Sequence, residues 1–128
     1  MITFRQGCAR MIVAASLVSA ISIGAQMAHA AGALAIGACG AYGVSYDYDQ
    51  LEAATAAAIG QCSGHCQVAT AMHGNCAALS IDVRNTCGAY GYAAAPRLGQ
   101  AQNTALRYCY RNGGKDCVIR AWVCDAKG

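Results

Sequence analysis

Cysteine is the residue in this chain whose number and spacing most clearly imply chemistry. The 128-residue sequence contains nine cysteines. All but Cys8 lie after residue 30, and they form two series in the same order, namely Cys39, Cys62, Cys66 and Cys76, then Cys87, Cys109, Cys117 and Cys124. Eight cysteines in a short exported segment are typical of a disulfide framework. Disulfide formation is therefore the chemistry that the sequence favours first.

Zinc binding and thiol redox chemistry are the alternative uses of these cysteines. Cys62 and Cys66, with His65 and His73 nearby, loosely match the spacing of a zinc site. His65 and Cys66 are adjacent, however, so they would point to opposite faces of a strand. The sequence contains no Cys-x-x-Cys redox motif. We therefore expect no metal and no cofactor.

Residues for general acid, base or nucleophilic catalysis do not form a recognisable set. The sequence lacks a Gly-x-Ser-x-Gly motif. Asp47, Asp49 and Glu52 lie close together, but a helix cap explains two of them. His65 and His73 have a spacing that suits one face of a strand, where histidines are usually surface residues. We assign no catalytic residue, and we leave enzyme activity open while favouring a non-catalytic role.

The two cysteine series belong to an internal repeat. Residues 39–43 (CGAYG) return letter for letter as residues 87–91. A duplication of this kind largely decides the architecture. We expect one disulfide-rich domain over residues 31–128, made of two repeats at about 31–76 and 77–128.

Each repeat has the pattern strand, strand, helix, strand. Tyr42–Tyr48 alternates tyrosine or valine with small or polar residues, as a half-buried strand does. A helix is expected from Asp49, which forms a capping-box-like pair with Glu52, and a second helix over residues 97–110. Further strands are expected at 33–36, 65–72, 78–81, 89–93 and 117–123. The fold class we predict is α+β, a duplicated ββαβ unit with one mostly antiparallel sheet and two helices on one face.

A twofold relation between the repeats selects one disulfide connectivity among the many that eight cysteines allow. The expected pairs are Cys62–Cys66, Cys109–Cys117, Cys39–Cys87 and Cys76–Cys124. The first two pairs would each pin a helix end to the following strand. The last two would join equivalent positions of the two repeats.

Residues 1–30 have the pattern of a secretory signal peptide. Arg5 and Arg10 supply the positive charge, residues 11–23 form the apolar segment, and Ala28-His29-Ala30 is a small-x-small cleavage site. Cleavage is expected between Ala30 and Ala31. The apolar segment falls short of the ~20 residues of a spanning helix, so we expect no stable membrane insertion after the signal is removed.

Export to the periplasm or the medium follows from this segment. Residues 36–39 also loosely resemble a lipoprotein box, in which Cys39 would be acylated. We favour the cleaved signal because Cys39 has a repeat partner in Cys87, which cannot be a lipidation site.

Charge is divided unevenly between the repeats. Residues 31–79 contain three acidic side chains and no Lys or Arg, a formal charge of −3. Residues 80–128 contain seven basic and three acidic side chains, a formal charge of +4. No dense basic run accompanies this asymmetry, so nucleic acid is not an expected partner. The partner is unknown from sequence, and a protein or glycan of the cell envelope is the class we expect.

Five tyrosines are the candidates for a contact surface. Tyr42, Tyr46, Tyr48, Tyr90 and Tyr92 all belong to the second strand of a repeat or its end. If their face is open, they form an aromatic platform suited to a glycan or a protein. If helices cover that face, the tyrosines supply the bulk of a core that is otherwise rich in alanine. We favour the buried arrangement, because large side chains must fill that core.

Several segments of the chain resemble one protein family. They are residues 40–48 (GAYGVSYDY), 66–68 (CQV), 75–79 (NCAAL) and 120–124 (RAWVC), and they are similar to the bacterial domain of unknown function 4189 over essentially the whole mature chain. The resemblance implies a small exported protein duplicated in this manner, and it transfers no catalytic residue. Cys39 and Cys87 look like additions to the cysteine set of that family.

The sequence therefore favours a non-catalytic binding or stress-related module of the envelope or the medium. The alternative is a small cell-envelope hydrolase whose active site the sequence does not reveal.

Overall fold

Within residues 30–125, six strands and two α-helices follow one another in the order that the repeat predicts. The computed structural model describes residues 30–125, so the expected signal peptide up to residue 29 and residues 126–128 lie outside it. The elements are β1 (Ala31–Ile36), β2 (Tyr42–Tyr48), α1 (Leu51–Gln61), β3 (Gln67–His73), β4 (Cys76–Asp82), β5 (Tyr90–Ala95), α2 (Leu98–Arg111) and β6 (Cys117–Cys124). Neither helix in this part of the chain has the length and apolar character needed to cross a membrane.

The strands form two antiparallel sheets of three strands each, with the orders β2-β1-β3 and β5-β4-β6. The registers of the two sheets match. Leu34 of β1 lies opposite Val44, and Leu79 of β4 lies opposite Tyr92 in the same relation. The α+β class and the duplicated ββαβ unit are therefore confirmed.

The layering differs from the expected single sheet with both helices on one face. The two sheets pack against each other through one cluster, to which Leu34 and Met72 come from the first sheet and Leu79, Ile81 and Val123 from the second. Alternate residues of β1 and β4 face outward, where α1 and α2 cover them. The order of layers is thus helix, sheet, sheet, helix.

The central strands explain this arrangement. All seven residues of β4 are buried, as are the first five of β1. A strand that is apolar on both faces must be covered on both. One helix covers the outer face of each sheet, and the two sheets cover each other's inner faces.

Each helix lies unusually close to its sheet. The residues of α1 and α2 that are buried against the sheets include Ala54, Ala58, Ala101 and Ala105, which have the smallest side chain that keeps helix propensity high. On the strand side, a Cβ atom added to Gly43 would overlap the backbone carbonyl of Ala58. Glycine and alanine together therefore set the distance between helix and sheet.

The glycine of the second copy occupies the same place. A Cβ atom added to Gly91 would overlap the carbonyl of Ala105 in α2. The last residue of each CGAYG motif is therefore a contact point beneath a helix, which explains why the motif ends in glycine in both copies.

Two details of α1 correct the sequence prediction. The helix begins at Leu51 with Gln50 as its N-cap, and no side chain caps it, so Asp49 and Glu52 do not form the expected capping box. Ile59, which helical spacing places on the same face as Ala58 and Cys62, is 40% exposed. The buried stripe instead runs through Ala54, Ala58 and Cys62, because only small side chains fit against β2.

The four disulfides join the pairs that the twofold relation selects. Cys62–Cys66 and Cys109–Cys117 tie each helix end to the next strand, with Cα atoms 6.1 and 6.2 Å apart. Cys39–Cys87 links the loops before β2 and β5, and it therefore connects the two sheets.

The fourth disulfide has a different role from the one expected. Cys76 is the first residue of β4 and lies opposite Cys124 of β6, so the bond closes one end of the second sheet. The equivalent pair in the first sheet is Ala31 opposite His73, which carries no disulfide. Cys39–Cys87 is thus the one disulfide among the described residues that joins the sheets.

We predict that Gly43→Ala destabilises the protein by about 1–3 kcal/mol, because the added methyl group forces the helix away from the sheet. Gly60→Ala is the matched control. Gly60 lies in α1, the helix that Gly43 contacts, and has open space around it. Alanine has the higher helix propensity, so this substitution is expected to stabilise the fold by about 1 kcal/mol. Denaturant unfolding of the oxidised proteins measures both. Equal stability of the Gly43→Ala variant and the parent would contradict the close-packing argument.

Candidate functional site: a tyrosine groove

The tyrosines lie on the sheet faces that point away from the helices, at the edges of the molecule. Tyr46 is 64% exposed, Tyr90 47% and Tyr92 39%, and Tyr48 is also exposed, whereas Tyr42 is half-buried. The prediction that these tyrosines fill the core is therefore wrong for the four exposed ones, whereas Tyr42 packs against the core cluster between the sheets. Alanines and glycines take the positions next to the helices, so bulky side chains on β2 and β5 are left on the opposite face.

The tyrosines do not form one platform. Tyr42 and Tyr46 belong to β2, which contacts β6, whereas Tyr90 and Tyr92 belong to β5, which contacts β3. The twofold relation thus places them at two separate edges of the sheet pair. The second edge forms a groove among the described residues.

The tyrosine groove, as we name it, lies where β5 of one sheet meets β3 of the other. It has a volume of about 680 Å³. Its walls are the end of β1, residues 64–69 at the start of β3, Ile59 of α1 and the side chains of Tyr90 and Tyr92. The groove therefore uses residues of both repeats, and its lining in the described structure contains no carboxylate and no Lys or Arg.

Two smaller recesses adjoin the same tyrosines. One of about 140 Å³ is lined by Tyr90, Gly88 and the Cys39–Cys87 disulfide. The other, of about 320 Å³, lies between the tyrosines and Tyr108 of α2. Asn112 at the end of α2 donates a hydrogen bond to the Tyr90 carbonyl at 2.8 Å, which holds β5 against the helix end. Tyr90 is the residue that all three concavities share.

The other edge is filled by the protein itself. The guanidinium carbon of Arg120 lies 5.2 Å from the centre of the Tyr42 ring, within the range of a cation–π contact. The Nε atom of Arg120 also donates a hydrogen bond to the Gly40 carbonyl at 3.2 Å. These contacts cover one face of Tyr42, which is half-buried.

The candidate acid, base and metal residues are not brought together. His65 lies in the turn before β3 and lines the groove, but His73 lies at the far end of that strand, with its Nδ1 atom 3.4 Å from the Ala30 carbonyl. Asp49 and Glu52 lie at the start of α1 and do not line the groove. Across residues 30–125, no group of three or more His, Cys, Asp or Glu side chains is placed to hold a metal ion.

The loop that carries Cys87 and Gly88 is organised by Asp82, a residue that sequence reasoning did not select. One carboxyl oxygen of Asp82 accepts the backbone N–H groups of Arg84 and Asp116, and the other accepts that of Lys115 at 3.0 Å. The backbone N–H groups of Lys115 and Arg84 hold the pKa of the Asp82 carboxyl below its usual value. The Asp116 N–H and the Arg84 charge lower this pKa further, whereas burial raises it.

Ala69 and Asn112 are further residues of this region that sequence reasoning missed. Neither has a side chain that suggests function by its type alone. For Ala69 the available signal is the comparison of the two repeats, since Arg120 is its counterpart in the second. Asn112 lies in the segment between Cys109 and Cys117, which is longer than the segment between Cys62 and Cys66, so it has no counterpart in the first repeat.

The fold and the groove define a class of protein, a duplicated α+β domain held by disulfides, with an aromatic groove between its two halves. The family described as Domain of unknown function (DUF4189) matches residues 31–124 of the chain. The chain therefore belongs to the DUF4189 family. No curated protein and no solved structure matches it.

We predict that Asp82→Asn lowers the denaturation midpoint at pH 7. Because the folded-state pKa is depressed, the charged carboxylate contributes stability above its unfolded pKa, and this contribution is lost as the pH falls through the folded pKa. The difference in denaturation midpoint between the variant and the parent should therefore shrink below about pH 4. Asp116→Asn is the control, since it removes a charge nearby without removing the acceptor. A difference in denaturation midpoint that persists unchanged at low pH would contradict the stabilising role of the Asp82 carboxylate.

Proposed function

We propose that this chain is an exported, non-catalytic binding module of the cell envelope or medium that holds its ligand in the tyrosine groove. One observation carries the proposal: two half-exposed tyrosines of the second repeat form a concave surface with β3 of the first repeat. Tyrosine offers large contact area at a low cost in conformational entropy, and it is enriched where proteins bind partners. A protein segment or a glycan strand is the ligand class that such a groove fits.

The composition of the groove supports binding rather than catalysis. Among the described lining residues, Cys66 is bonded to Cys62, so no free thiol is present. Hydrolysis by an acid–base pair needs two groups placed on either side of the scissile bond. His65 is the one imidazole among the described lining residues, and no carboxylate lies in the lining with it.

Hydrolase activity is the second candidate, because His65 and the tyrosines do share one concave surface. If a bound cell-wall fragment supplied its own nucleophilic or acidic group, His65 would be the base. Incubation with purified peptidoglycan, followed by mass spectrometry of released fragments, separates the two candidates. Release that His65→Gln abolishes would establish the hydrolase and overturn the binding proposal.

Export is part of the proposal and has its own support. β1 begins at Ala31, so cleavage between Ala30 and Ala31 removes the leader and leaves the strand whole. Four disulfides also suit an oxidising compartment.

We predict that the protein expressed with its leader is recovered outside the cytoplasm with Ala31 at its N-terminus. Its intact mass should rise by about 8 Da on reduction, since each disulfide takes up two hydrogens. Intact mass spectrometry before and after reduction measures both properties. An acylated N-terminus at Cys39, or free thiols in the exported protein, would contradict this assignment.

We predict that Tyr92→Ala weakens ligand binding at least about tenfold, as is common for an aromatic residue at the centre of a contact surface. Tyr46→Ala is the matched control, since Tyr46 is an exposed strand tyrosine that does not line the groove. Titration of the labelled protein with soluble peptidoglycan fragments and envelope-protein peptides, followed by NMR, measures binding. Equal effects of the two variants would show that the groove is not the binding site.

A further inference from the structure

The two edges of the sheet pair differ at one equivalent position, which is a β-bulge. In the first sheet the register between β1 and β3 shifts after Leu34, and Ala69 is the extra residue. In the second sheet the register between β4 and β6 shifts after Leu79, and Arg120 is the extra residue. Ala69 and Arg120 are therefore the same structural position in the two repeats.

The aromatic partners of these positions are equivalent as well. Tyr42 lies opposite Ile36 in the first sheet, and Tyr90 lies opposite Ile81 in the second. Both tyrosines stand in the same place of the CGAYG motif, and both are followed by the glycine that contacts a helix. The two edges thus present the same ring at the same register position.

At one edge the protein places a guanidinium over this ring. Arg120 extends from its bulge across the Tyr42 ring and donates a hydrogen bond to the Gly40 carbonyl. At the other edge the bulge residue is alanine, whose methyl group cannot reach the ring of Tyr90. Tyr90 is accordingly 47% exposed, while Tyr42 is half-buried. Ala69 and Tyr90 line the tyrosine groove at the position where Arg120 and Tyr42 meet at the other edge.

The lining of the groove also suits a cation. The described residues that line it include no Lys or Arg. Gly88, the motif equivalent of Gly40, lines the recess beside Tyr90. An entering guanidinium would therefore meet an aromatic face and no cation in the lining.

We propose that the tyrosine groove binds an arginine side chain of a partner protein, in the manner in which Arg120 occupies the equivalent edge. This inference rests on the proposed function and specifies its ligand. The guanidinium lies over the Tyr90 ring, and its N–H groups donate to carbonyls of the loop that contains Gly88. Citrulline has the same shape without the charge, so it is the natural test of this chemistry.

NMR titration of the oxidised, exported protein with a capped arginine-containing peptide tests the proposal. The expected result is a set of shifts at Ala69, Tyr90 and Gly88 that the citrulline peptide does not produce. Ala69→Arg should weaken peptide binding at least about tenfold, because an internal guanidinium then fills the groove. Ala71→Arg is the matched control, since Ala71 is an exposed residue of the same strand that does not line the groove.

A reciprocal variant tests the symmetry directly. Arg120→Ala removes the side chain that covers Tyr42, so the peptide should now shift Tyr42 and Gly40 as well, and the stoichiometry should rise from one to two. Tyr90→Leu should abolish the original site, and far-UV circular dichroism checks that it folds. If Tyr90→Leu does not fold, Ala69→Arg and Arg120→Ala still decide the question.

The outcomes separate this inference from the proposed function. Equal binding of the arginine and citrulline peptides, or unchanged binding by Ala69→Arg, overturns the arginine site. A neutral N-acetylglucosamine oligomer that shifts the groove when the arginine peptide does not overturns the inference but leaves the binding function standing. If neither ligand class shifts the groove, both proposals are wrong.

Discussion

The close approach of each helix to its sheet is the constraint on which the rest of this structure depends. At Gly43 and Gly91 the helix backbone lies where a side chain would otherwise begin. The helix residues above them are alanines for the same reason. Contacts of this kind bury little apolar area for each residue, because alanine and glycine have little to bury. Stability must therefore come from elsewhere in the fold.

The contact between the two sheets is one such source of stability. Larger residues of β1, β3, β4 and β6 meet there, with Leu34, Met72 and Leu79 at its centre. The Cys39–Cys87 disulfide links the two halves at the loops beside this cluster, across a sequence separation of 48 residues. By loop-closure arguments, a bond that spans such a length stabilises the fold by about 4 kcal/mol. The four layers are thus held by one apolar centre and by covalent links.

The duplication explains the shared scaffold of the two halves, and a difference between the two repeats explains the tyrosine groove. Both repeats place a tyrosine at the same edge position, but only one repeat covers it with an arginine. The difference at the β-bulge leaves Tyr90 uncovered at one of two equivalent edges, where Tyr92 in place of Val44 adds a second ring to the groove. Bulges often mark functional positions because they redirect a side chain without disturbing the remaining ladder. Here the bulge directs Arg120 inward at one edge and leaves space beside Ala69 at the other.

The sequence by itself determined the repeat, the α+β class and the disulfide-linked character of the domain, because each follows from local periodicity or from residue spacing. Only the tertiary structure decided the layering and the exposure of the tyrosines. Strand alternation tells which side chains share a face, but it does not tell what covers that face. Once glycine and alanine had brought the helices onto one face of each sheet, the tyrosines were left on the other. The difference in exposure between Tyr42 and Tyr90 then followed from the residue at the opposite bulge, Arg120 or Ala69, a contact between residues far apart in sequence.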